Sequence, residues 1–146
     1  MLRDHFRGIA SNDFPRGTHN HDLWGFLFAD AVYCHERPIV MAHGGDYLPF
    51  YTDRHDFTYL GGHHPQLKGN VSSYLPPLYY DTVLFNPDME EFLATKVPVS
   101  HILLAFDYPF AERRPVEFIR RAKKISKKAR DAVLGANCAK LLGNEI

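Results

Sequence analysis

The sequence predicts an α/β fold built on parallel strands, and three observations lead there. Short apolar runs at 39–42, 78–82 and 102–105 have too few residues for helices and read as strands. Helical periodicity follows each of them. The intervening segments are long enough to cross back over a sheet, as parallel neighbours require.

The chain has 146 residues, enough for one domain over 1–146 with its own core. Apolar residues make up 45% and charged residues 23%, which suits a globular chain and not a disordered one. Its 17 basic residues balance 17 acidic ones, so a general nucleic-acid or membrane-surface binder is not expected. No apolar run is long enough for a membrane span, and the N-terminal MLRDHFRGIASNDF has no signal-peptide core. Cys34 and Cys138 stand far apart and outside any ligand spacing, which points to reduced thiols and a cytoplasmic setting. The nine histidines are the unusual feature, because imidazole is the commonest metal ligand.

Residues 1–22 are broken by Gly8, Pro15 and Gly17 and read as irregular. His19 and His21 have the spacing that puts two rings on one face of a strand, yet no apolar strand carries them. A solvated loop or a helix start suits them better. Asp22 can cap a helix over 22–36, in which Leu23, Phe26, Leu27, Ala31 and Cys34 recur at threes and fours. Pro38 ends it.

The first strand, Ile39 to Ala42, runs into His43-Gly44-Gly45. Asp46 to Thr58 reads as a loop or short helix, and 59–77 as a long connection with some helix around Leu67 to Leu75. His63-His64 belongs to its solvated part. The second strand is Leu78 to Thr82. Pro87 to Lys96 forms a helix with Met89, Phe92 and Leu93 on one face, and Asp88, Glu90 and Glu91 suit its positive end. Ile102 to Ala105 is the third strand.

Pro115 to Lys128 then reads as a helix with Val116, Ile119, Ala122, Ile125 and Ala129 on one face. Its basic residues, from Arg113 to Arg130, fill the remaining faces and read as a solvated exterior. Ser126 can cap a second short helix that Gly135 stops, and Asn137 to Leu142 adds a last turn or two.

Two strand ends carry candidate chemistry. A buried strand that delivers a carboxylate at its C-terminal end is how barrel active sites are built, and Asp107 stands there. It suits a metal ligand or a general base, with turn chemistry before Pro109 as the alternative. His43 follows its strand in the same way, beside glycines that permit close approach of a ligand, with a structural histidine as the alternative.

The strand ends MAHGG, LYYDT and LLAFDYPF and the tail VLGANCAKLLG resemble, in order and spacing, the C-terminal part of amidohydrolase-related (amidohydrolase 2) proteins. Within that family they are most similar to metal-dependent decarboxylases of the aminocarboxymuconate-semialdehyde decarboxylase kind. The resemblance runs from about Phe14 to Gly143. It implies a partial (β/α)8 TIM barrel, these strands being the sixth to eighth with their helices. It implies a divalent metal, zinc or else manganese, bound by Asp107, with His43 in acid–base chemistry. Arg54 matches an arginine that in some relatives reaches a neighbouring subunit's site to hold a substrate carboxylate, which its planar fork suits.

Phe106 replaces the small hydroxylated residue usual before this Asp, and Asp46 stands where a small residue is common. The family's first-strand histidine pair and fifth-strand histidine have no match. His19 and His21 have the spacing but the wrong place, and His5 lacks a strand. A whole barrel needs about 250 residues.

The implied activity is decarboxylation of a small carboxylic acid. The alternatives are hydrolysis within the same superfamily, or a truncated paralogue acting only through protein interaction. Partners on this reading are a small carboxylated substrate and either a second copy of the chain, as a homo-oligomer, or a full-length relative. Neither nucleic acid nor membrane is expected. Three strands alone should leave an open sheet edge and an uncovered apolar face.

Overall fold

The computed structural model describes residues 38–46, 48–59, 69–110 and 114–143. His5, His19, His21, Cys34, the expected helix over 22–36 and His63-His64 lie outside the described residues.

The three apolar runs pair as β1 (Val40–Met41), β2 (Tyr79–Asp81) and β3 (Ile102–Leu103), in the order β1-β2-β3 and all parallel. Met41, Tyr80 and Ile102 are cross-strand partners, so they share one face of the sheet. That face is the core side. Tyr80 and Ile102 are buried and Met41 packs against them. The Tyr80 hydroxyl donates to Leu75 O at 3.0 Å, which satisfies its polar end inside the core.

The opposite face is less covered. Val40 is 49% exposed, Tyr79 and Asp81 are half-buried, and Leu103 is buried. The ring of Tyr79 stacks on His101 with centroids 4.4 Å apart, and His101 Nδ1 lies 3.2 Å from Leu78 O. These contacts join β2 and β3 at the end where the strands begin.

Helices cover the core side. Leu48 comes from α1 (Leu48–Tyr59), Leu93 from α2 (Pro87–Lys96) and Ile119 from α3 (Pro115–Arg121). Val71 comes from a single tight turn, Val71–Tyr74. So 46–58 is mostly helix, and among the described residues of the long connection, 69–77, helix is confined to one turn. α2 keeps its expected bounds because Asn86 Oδ1 accepts the Asp88 N–H at 2.8 Å and Pro87 opens the first turn.

The expected helix over 115–128 breaks. Its continuation stops at Ala122, which leaves helical backbone at φ −70°, ψ 80°. Ala122 and Ile125 are still buried, because a turn can satisfy a three-residue apolar spacing as well as a helix can. Two side chains hold this turn. Glu91 Oε1 accepts the Lys124 N–H at 2.8 Å, and its Oε2 lies 3.1 Å from Lys124 Nζ. Arg130 donates to Ala122 O at 3.0 Å and to Ile125 O. Glu91 is therefore buried and committed to this turn instead of facing solvent at the helix start.

Ser126 caps α4 (Lys127–Asp131) through the Ala129 N–H, as expected. Gly135 leaves helical backbone as expected, at φ 179° and ψ −43°, and so marks a kink. A widened turn over Ala132–Ala136 carries the chain into α5 (Asn137–Leu141).

This C-terminal segment covers one edge of the sheet, the outer side of β3, which three strands alone would leave open. The Leu104 N–H donates to Val133 O at 3.2 Å. Asn137 Nδ2 donates to Ile102 O and Val99 O, both at 2.8 Å. Residues 102 and 104 point their backbone groups to the same side of a strand, so the outer side of β3 is occupied. β1 forms the other edge of the sheet.

Candidate active site at the strand ends

Parallel strands bring their C-terminal ends to one end of the sheet. His43 follows β1 there, Asp81 and Thr82 close β2, and Asp107 follows β3.

After β1 the backbone turns sharply. His43, Gly44, Gly45 and Asp46 all have positive φ, at 54°, 61°, 83° and 54°. The Gly45 N–H donates to Ala42 O and the Asp46 N–H to His43 O, each at 2.9 Å. Glycine is needed twice for two reasons. Side chains rarely adopt this backbone, and there is no room for one. A Cβ on Gly44 would lie 2.8 Å from the Leu84 side chain, and one on Gly45 would lie 2.9 Å from the Tyr80 ring. His43 and Asp46 adopt the left-handed region while carrying side chains. Such a conformation persists only where neighbours hold it.

The neighbours that hold it come from β2. Asp81 Oδ1 accepts the Gly44 N–H at 2.9 Å and the Val83 N–H at 3.1 Å. On the other side, buried Thr82 accepts the Ala105 N–H through Oγ1 at 3.0 Å, and the same oxygen lies 3.4 Å from Ala105 O. The central strand thus grips both outer ones at the end where the candidate residues stand.

His43 is exposed and Asp107 half-buried. Arg54 is exposed on α1, the helix that follows the His43 turn. Phe106, Tyr108 and Phe110 flank Asp107 and are 58%, 82% and 69% exposed, so an aromatic rim surrounds this strand end. The Tyr108–Pro109 peptide bond is cis.

Among the described residues, no three or more His, Cys, Asp or Glu side chains are gathered so that they could hold a metal ion. The described residues therefore do not make a complete metal centre, which needs three protein donors for a catalytic site and four for a closed one. Asp107 would supply one.

Sequence reasoning passed over Asp81 and Thr82. The available signal was the same strand-then-polar order that singled out His43 and Asp107, since LYYDT also ends an apolar strand in polar residues.

No family model matches the sequence, and no curated protein matches it. Solved structures do. 5-Carboxyvanillate decarboxylase from Sphingomonas paucimobilis is 22% identical with a TM-score of 0.71, and the match covers 83% of this chain and 38% of that one. 2,6-Dihydroxybenzoate decarboxylase from Rhizobium is 16% identical with a TM-score of 0.70, over 91% of this chain and 49% of that one. A dihydroxybenzoic acid decarboxylase from Polaromonas, solved with bound manganese and the inhibitor 2-nitroresorcinol, is 17% identical with a TM-score of 0.69, over 97% and 45%. The chain thus spans less than half the length of these three enzymes. No helix among the described residues is long and apolar enough to cross a membrane. The likeness is one of fold: a mixed helix and parallel-strand arrangement that matches part of a barrel enzyme.

Proposed function

We propose that this chain is the C-terminal portion, strands six to eight, of an amidohydrolase-related decarboxylase barrel acting on a small carboxylic acid. The observation that carries the reading is the parallel order β1-β2-β3 with His43 and Asp107 following its two outer strands. The fold likeness to three decarboxylases of carboxylated aromatic acids supports the substrate class.

In this reading protonated His43 gives its proton to the carbon that bears the carboxylate. The bond from that carbon to the carboxylate breaks, carbon dioxide leaves, and its electron pair forms the new carbon–hydrogen bond. Arg54 would hold a carboxylate through its two parallel N–H groups, across to a neighbouring copy or a full-length relative. The aromatic rim of Phe106, Tyr108 and Phe110 offers apolar surface for a ring or for that second chain.

A divalent metal, zinc or manganese, is part of this proposal through Asp107, and the manganese seen in the Polaromonas enzyme supports it. When bound, such an ion supplies Lewis acidity. Its further ligands would have to come from outside the described residues, whether from this chain or from another.

The test is metal content and turnover on protein purified by size exclusion without chelator. The expected result is manganese or zinc bound near one per chain and carbon dioxide released from hydroxylated aromatic acids. Asp107→Asn should lose the metal, and His43→Gln should lose turnover while keeping it. Equal metal in the wild type and Asp107→Asn, with no carbon dioxide from either, would reject the reading.

A further inference from the structure

We propose that Asp81 and Thr82 are positioning residues, a two-sided clamp on β2 that sets the His43 turn against the Asp107 strand end. The inference rests on the reading of His43 and Asp107 as the working groups of one site. It adds the part of the chain that fixes their separation.

The two outer strand ends touch β2 through different bonds. Asp81 Oδ1 takes the Gly44 N–H at 2.9 Å, one residue after His43, and the Val83 N–H at 3.1 Å. One oxygen thereby ties the turn after β1 to the turn after β2. Thr82 Oγ1 takes the Ala105 N–H at 3.0 Å, two residues before Asp107. These donors are backbone groups at strand ends, where ladder bonding has run out and a side chain must replace it. Adjacent residues on one strand thus serve opposite neighbours.

The turn needs such a hold. Four consecutive residues sit at positive φ, and two of them carry side chains. Leu84 and the Tyr80 ring close the space around Gly44 and Gly45. Packing excludes alternative side chains there, but it does not set the direction of the peptide group after His43. The bond from the Gly44 N–H to Asp81 does.

The test is amide hydrogen exchange by NMR on the full chain, with unfolding measured on every variant. In the wild type the Gly44 and Ala105 amides should both be protected. Asp81→Ala should speed Gly44 exchange at least ~10-fold while sparing Ala105, the factor expected when a hydrogen bond to a carboxylate is lost locally. Thr82→Val should do the reverse. Asp81→Asn and Thr82→Ser keep the accepting oxygens and should restore protection. The His43 ring Cε1–H resonance should move in Asp81→Ala and return in Asp81→Asn, which a loss of general stability would not produce.

Wild-type Gly44 and Ala105 amides exchanging at free-peptide rates would overturn the proposal whatever the variants do. So would variants in which both amides speed up together with global unfolding. None of these readouts needs metal or turnover, so a wild type that releases no carbon dioxide rejects the decarboxylase reading and still leaves the clamp decided. Where carbon dioxide is released, Asp81→Ala and Thr82→Val should lower kcat more than they raise KM, with recovery in Asp81→Asn and Thr82→Ser.

Discussion

Replacing Asn137 should unfold the molecule more readily than replacing any other single polar side chain of the C-terminal segment. Its Nδ2 donates to Val99 O and to Ile102 O at 2.8 Å each, from a side chain that is 8% exposed. Ile102 is itself buried, so its carbonyl has no route to water once the donor is gone. Asn137→Ala removes two hydrogen bonds of about 1 kcal/mol each and orphans at least one buried carbonyl, for a total loss of about 2–4 kcal/mol.

Asn137→Asp is the sharper probe. It keeps the shape and sets a carboxylate oxygen against two carbonyl oxygens. The fold then favours the protonated acid, so its carboxyl titrates higher in the folded than in the unfolded chain. A raised carboxyl costs nothing below the unfolded value of about 3.9 and costs progressively more as pH rises through the folded one. Urea unfolding followed by far-UV circular dichroism at several pH values measures both effects. An Asn137→Ala variant within about 0.5 kcal/mol of wild type would refute the reasoning, since that is the scatter of ordinary surface changes. An Asn137→Asp variant with no pH-dependent deficit would refute it too.

Three further outcomes are expected. The Lys124 N–H, aided by the Lys124 ammonium, holds the Glu91 carboxyl below its ordinary value of 4.5. Its contribution is present above 4.5 and lost as pH falls through the lowered value, so the stability gap between wild type and Glu91→Gln should close on acidification. Gly45→Ala should cost about 2–4 kcal/mol, combining left-handed backbone with overpacking against Tyr80, whereas Gly143→Ala should cost only the backbone part of about 1–2. In Gly143 the φ is also positive, at 74°, but no described residue lies within 4 Å of an added Cβ, so equal costs in thermal or urea unfolding would remove the packing explanation. Tyr80→Phe should lose about 1 kcal/mol with the bond to Leu75 O. Burial pushes the Tyr80 phenol well above its ordinary value of 10, so wild type should lose stability above pH 10 and the Phe variant should lose less of it.

Strand positions and their parallel pairing were legible because each strand is a short apolar run and the connections between them are long. α2 was legible to the residue because its Pro87 start and Lys96 end are marked locally. The break at Ala122 was not. Val116, Ile119, Ala122 and Ile125 keep a helical spacing across it, and the agents of the break, Glu91 and Arg130, act from elsewhere in the sequence. The covered edge of β3 was hidden for the same reason, since Asn137 lies 35 residues from Ile102. At the site, sequence picked out His43 and Asp107 by their place after strands. The role of Asp81 depends on a backbone N–H 37 residues away, and local pattern carries no trace of that.

The two margins of the sheet are unequal, and this decides how the chain could assemble. Among the described residues, Val133 and Asn137 occupy one margin, while Val40 stands half exposed on the other. A sheet with two open margins can add copies head to tail without end, which is the geometry of a fibre. One with a single open margin can meet only the same margin of a second copy, related by a two-fold axis. Growth then stops at two. The bonds that fasten the last helix thus also act as a terminator, and removing Asn137 would weaken it, leaving the Leu104 N–H bond to Val133 O in place.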